Sequence, residues 1–243
     1  MALPDLKLGA FEQWARLEAR VTTSPATART LGARSSLARR LVAVVAKVVL
    51  FALLPFFVLV RASVFFYSHY RYPSWLALAV GAGCTAIIVA GYAAWLSHRL
   101  TGRARLLALA RGVALPFVLA YCGYTLVYLS SLNAKSERVR AYYSSLHPLL
   151  RVALSTWMLV DNDIVITDLA RRPDDYVGMG LTVYDGSLHY VQQDGYAHAA
   201  DLRTIGRGVV KSRLVQLYFW GMGFDTQRHA GTADHLHVEL PRP

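Results

Sequence analysis

The segment Asp234-His235-Leu236-His237-Val238-Glu239-Leu240 alternates in the manner of a β-strand. Successive side chains in a strand point to opposite faces, so His235 and His237 share one face, with a carboxylate at either end of the segment. Two imidazoles on one face are half of a metal site or of an acid–base pair. The other half has to come from residues upstream.

Working back from this strand, residues 132–243 predict a small α+β domain with a short antiparallel sheet. Residues 136–157 read as helix with a break near Pro148, and Asp163 to Thr167 alternates as a strand. Two short strand-like pieces, 188–192 and 196–202, flank the turn pair Asp194-Gly195. Residues 209–222 form an amphipathic helix that stops near Gly223. Of the eight histidines, six lie in this domain: His147, His189, His198, His229, His235 and His237. Asp201 follows the small residues Ala197, Ala199 and Ala200. A carboxylate there is costly to bury unless a cation or strong donors compensate it. A divalent ion held by two imidazoles and this carboxylate supplies such compensation.

The rest of the chain has a different chemistry. Up to Leu132 it holds 14 Lys and Arg against 3 Asp and Glu, whereas the remainder holds 12 of each. The whole formal charge of +11 therefore lies among apolar stretches, where it describes membrane topology and not nucleic-acid binding. Residues 41–131 contain three stretches long enough to cross a bilayer: about 41–67, interrupted by Lys47, Pro55 and Arg61; the uncharged 75–97; and 112–131, with Pro116 and a row of Tyr121, Tyr124 and Tyr128 at helical spacing. Tyr67, Tyr70, Tyr72 and Trp75 read as an interfacial belt.

Arginines crowd the N-terminal arm (1–40) and the loop after the second stretch, which predicts a cytoplasmic N-terminus and an extracytoplasmic 132–243 domain. In the arm, Leu8, Phe11, Trp14 and Val21 line one side of an amphipathic helix, and residues 22–36 read as linker. Cys84 and Cys122 both fall inside the apolar stretches, which leaves the outer domain without disulfide or thiol chemistry.

Ser187-Leu188-His189, Ala197-His198-Ala199-Ala200-Asp201-Leu202 and Asp234-His235-Leu236-His237 together resemble the motifs of the zinc D-alanyl-D-alanine peptidases and their lysostaphin and Hedgehog relatives. Ile166-Thr167-Asp168-Leu169-Ala170-Arg171 resembles that family's strand and turn bearing a substrate-binding arginine. The likeness covers about residues 146–240. Asp234 stands where the family usually has glutamate, and Asp194 stands where it has its first histidine.

The resemblance implies a peptidase-like fold and zinc held by His189 or His198, Asp201 and His237. It implies Asp234 as general base, His235 beside the reaction, and Arg171 on a substrate carboxylate. His198 faces away from Asp201 on a regular strand, which favours His189 if residues 191–195 form an inserted turn; a bulge reverses the choice. Glu239 shares the face of His235 and His237, as a partner orienting an imidazole or as an exposed edge residue. His147 reads as a capping or surface residue, His229 as a loop residue and Arg172 as solvated.

The expected protein is a membrane-anchored zinc peptidase of the bacterial inner membrane, acting on peptidoglycan stem peptides or cross-bridges. The alternative is an inactive wall-binding or assembly module on the same fold, anchored to a membrane protein partner.

Overall fold

The computed structural model describes residues 12–16, 18, 25–180, 182–231 and 234–241, with residues 25–38 described as backbone. Contacts divide the chain into two units, Met1–Ala52 and Leu53–Pro243. In the first unit residues 12–16 are helical and Trp14 is exposed. Leu8, Phe11 and Val21 lie outside the described residues.

Helix α1 runs Pro25–Tyr70, so most of the stretch read as linker is helical. Pro25 takes the first helical position, where its missing N–H costs nothing, and the following Ala, Leu and Arg residues are strong helix formers. Helix α2 covers Ser74–Thr101 and α3 covers Leu106–Val127. The last contains a π-helical turn, Ala110–Ala114, just before Pro116. Among the described residues, three stretches are long and apolar enough to cross a membrane: Arg39–Tyr70, Ser74–Thr101 and Leu106–Val127. Their many exposed Leu, Val, Ile and Phe side chains suit lipid and not water.

The C-terminal part is α+β, as its patterning predicts. Short helix α4 (Glu137–Ala141) and helix α5 (Pro148–Met158) precede strand β1 (Ile166–Asp168) and helix α6 (Pro173–Gly178). Strand β2 (Ala199–Arg203), helix α7 (Val209–Met222), strand β3 (Asp225–His229) and strand β4 (His235–Glu239) follow. The four strands form one antiparallel sheet in the order β1-β2-β4-β3. Residues 188–192 are not a strand of it; an isolated bridge, Arg171 to Tyr190, links them to the 169–171 segment.

Alternation sorts the sheet into two faces. Ala200, Leu202, Leu236 and Val238 are buried in the core with Leu149, Leu150, Phe219 and Phe224. Asp201, His235, His237 and Glu239 lie on the other face. The same core continues without a break into Leu59, Val60 and Val64 of α1, Leu78 of α2 and Val118 of α3. Polar contacts close the junction. Arg151 Nη1 donates to the Leu126 carbonyl at 2.6 Å, and the Tyr143 hydroxyl donates to that of Thr125 at 2.7 Å. These donors satisfy carbonyls that the end of α3 leaves without partners. Arg61, a charge inside an apolar run, has its guanidinium against Gly223, the left-handed residue (φ +97°) that ends α7. A cation at a helix C-terminus is favourably placed.

Candidate metal centre

Three segments far apart in sequence meet on the polar face of the sheet. Register places Asp201 of β2 opposite His237 of β4, and His237 Nδ1 lies 2.8 Å from Asp201 Oδ1. His189 arrives from the loop before β2, its Nε2 3.3 Å from both His237 Nδ1 and Asp201 Oδ1. These three ligand-type atoms form one compact group. Neighbouring ligands of a tetrahedral ion with bonds of about 2.0–2.1 Å stand about 3.3 Å apart, which two of the three separations match, while the third, His237 to Asp201, is shorter at 2.8 Å.

Each imidazole is also held from behind. His189 Nδ1–H donates to the Leu169 carbonyl at 2.6 Å, which leaves the Nε2 lone pair facing the group. His237 Nε2 lies 3.1 Å from Glu239 Oε2, so the carboxylate accepts its hydrogen and frees Nδ1 for a cation. Outer partners of this kind fix the tautomer and ring orientation of a metal ligand. The reading of Glu239 as an orienting partner matches this geometry. Burial raises the pKa of Asp201, but the imidazoles of His189 and His237 beside it outweigh that and hold the carboxyl well below the usual range. His237 is pushed upward, first by the Asp201 carboxylate beside it.

His189, and not His198, stands with Asp201 and His237. The physical reason is the turn at residues 192–195, closed by Gly195 N–H to the Gln192 carbonyl, with Gly195 at φ +83°. That turn absorbs the extra residues between His189 and β2. His198 shares the face of Ala200 and Leu202 and is buried among His147, Asp194 and Tyr67. His147 caps α5 with its side chain, as expected, and is fully buried.

Asp201 also lines a cleft of about 570 Å³ together with Arg171, His235, Asp234, Tyr142 and Arg203. This volume is in the range of small-ligand sites, about 300–1,000 Å³. His235 lies on the rim, its Nε2 3.8 Å from Asp201 Oδ2. Its ring stacks on His229 at 4.8 Å. His229 therefore sits at the end of β3 beside the centre, not in a loop. A histidine paired across strands with His235 is visible only once β3 is placed.

The remaining predicted residues have firm partners. Arg171 donates through Nε to Asp168 Oδ2 at 2.6 Å, with Nη2 3.9 Å from Asp201. Asp234 accepts from Arg228 Nη2 at 2.7 Å and from the Thr204 hydroxyl at 2.5 Å. These bonds, Arg228 first, lower its pKa to about 2.

Among the described residues the chain thus combines an α+β part, in which three side chains could hold a metal ion, with three membrane-length helices. No family model matches it, and neither a curated protein nor a solved structure does.

Proposed function

We propose that the His189–Asp201–His237 group holds a zinc ion in a membrane-anchored peptidase that hydrolyses peptidoglycan stem peptides or cross-bridges. The observation that carries this reading is the convergence of two imidazole nitrogens and one carboxylate at 2.8–3.3 Å, beside an open cleft. The motif resemblance to zinc D-alanyl-D-alanine peptidases supports the fold and the reaction class. The arginine-rich N-terminal arm and second loop support an N-terminus in the cytoplasm and a catalytic domain on the wall side of the inner membrane.

His189, Asp201 and His237 would hold the ion, which when bound would supply a Lewis acid to activate water near neutral pH and polarise a peptide carbonyl. Glu239 and the Leu169 carbonyl keep the two imidazoles aimed, so little reorganisation is needed on binding. Arg171, at the cleft wall, orients a substrate carboxylate. His235 lies where it can assist proton transfer or stabilise developing charge on the carbonyl oxygen. Asp234 acts as base once substrate displaces its bond to Arg228.

That bond also favours a second reading. A carboxylate tied to a guanidinium with a pKa near 2 is a poor proton acceptor, which suits a wall-binding module that does not cut. The full-length chain in detergent decides between them. One zinc per chain is expected, lost in Asp201→Asn and His237→Ala. Incubation with muropeptides is expected to release new amines, abolished by a chelator. Wall-peptide binding without cleavage supports the module, and a wild type that takes up no zinc overturns the metal centre.

A further inference from the structure

His147, Asp194 and His198 form a second buried cluster with ligand-type atoms within 4.8 Å of one another. Its hydrogen bonds decide its chemistry. Leu149 N–H donates to His147 Nδ1 at 3.3 Å, so the ring hydrogen sits on Nε2 and is donated to Ser74 Oγ at 2.7 Å. A nitrogen carrying hydrogen has no lone pair for a cation, so this cluster does not make a second metal centre. It makes a linkage.

One end of the linkage lies on the membrane-length helices. Ser74 opens α2 and is buried, and Tyr67 in the last turn of α1 packs edge-on against His147 at 4.9 Å. The other end lies on both ligand-bearing segments. The His147 and His198 rings meet at 4.8 Å, and the main-chain N–H of His147 donates to the Ala197 carbonyl at 2.9 Å. His198 N–H donates to the carbonyl of Leu188, the neighbour of His189, at 2.7 Å. The His198 carbonyl accepts from Leu240, the residue after Glu239, at 2.9 Å. One residue thus holds the backbone beside one ligand and beside the orienting partner of another.

We propose that the contacts Ser74–His147–His198 let the outer ends of α1 and α2 position His189 and His237, so that metal affinity depends on how these helices pack. The proposal rests on the metal-centre reading above. Ligand groups need placement to within about 0.5 Å, which a loop gains only from a rigid support. Ser74 and His147 are then positioning residues that never touch the ion.

The test uses the full-length chain in detergent with Co2+ as probe, since its visible absorption reports coordination geometry. Ser74→Ala is expected to weaken Co2+ affinity about tenfold, the lower end of what losing an outer partner costs, and to change the spectrum. Ser74→Thr, which keeps the hydroxyl, is expected to restore both. His147→Asn, which retains a helix-capping acceptor but is too short for Ser74, is the second variant and is expected to behave like Ser74→Ala. A merely structural role lowers thermal stability and leaves affinity and spectrum alone, and that result overturns the proposal while leaving the metal centre standing. A wild type that binds no Co2+ overturns both.

Discussion

At the scale of single residues, the metal-ligand group illustrates how little of a site one strand supplies. His237 and Asp201 face each other because β2 and β4 pair in register, and His189 joins them through a turn. His147 shows the opposite behaviour: a histidine kept neutral. Burial first, then electrostatic repulsion from the His198 and Arg151 side chains, lowers its pKa from 6.5 to about 2. A depressed folded pKa means that the unfolded chain takes up a proton the folded chain refuses. The stability contribution is therefore complete above pH 6.5 and is lost as pH falls from there towards 2, by up to about 1.4 kcal/mol per pH unit. Thermal melts of the full-length chain between pH 7 and 5 are expected to show a shallower decline in His147→Asn than in the wild type; identical slopes would count against the buried neutral ring.

At the scale of elements, α1 and α2 come close together at Gly81. A Cβ placed on Gly81 would stand 2.0 Å from Ser63 Oγ and 2.7 Å from the Leu59 carbonyl oxygen. The two backbones approach as closely as they do only because Gly81 lacks that atom, the usual device of helix pairs in lipid. Gly81→Val is expected to cost about 1–3 kcal/mol of stability by overpacking, read as a lower thermal midpoint in detergent. Gly83→Ala, with nothing within 4 Å, is expected to leave the midpoint nearly unchanged. The apolar length of these helices and the Gly223 stop of α7 were legible locally, because both depend on side chains within a few turns. The helical state of residues 25–36 was not, since Ser, Thr and Arg there suit linker and helix alike.

At the scale of the whole molecule, α1 is longer than a bilayer requires. The 32 residues from Arg39 to Tyr70 extend about 48 Å, well beyond a hydrocarbon core of about 30 Å. Leu59, Val60 and Val64 in its C-terminal part enter the core shared with Leu149, Phe219 and Leu236. Residues 132–243 were read as a separate domain, yet their core is completed by the membrane-length helices. The isolated 132–243 fragment is therefore expected to aggregate or bind hydrophobic dyes, while the full-length chain in detergent unfolds cooperatively. A monodisperse, cooperatively melting fragment would show that the shared core is dispensable.

The amino-acid sequence alone determined what repeats locally. Apolar length set the three membrane-sized helices, and period-two alternation put His235 and His237 on one face. The resemblance of its motifs to a peptidase family implied Asp201 and His237 as partners. Only the tertiary structure decided which histidine completes the group, because that choice rests on a turn at residues 192–195 and on a contact across 48 residues of chain. The same holds for Ser74 with His147, 73 residues apart. Local periodicity says which way a side chain points, but not what comes to meet it; that depends on how buried faces are shared.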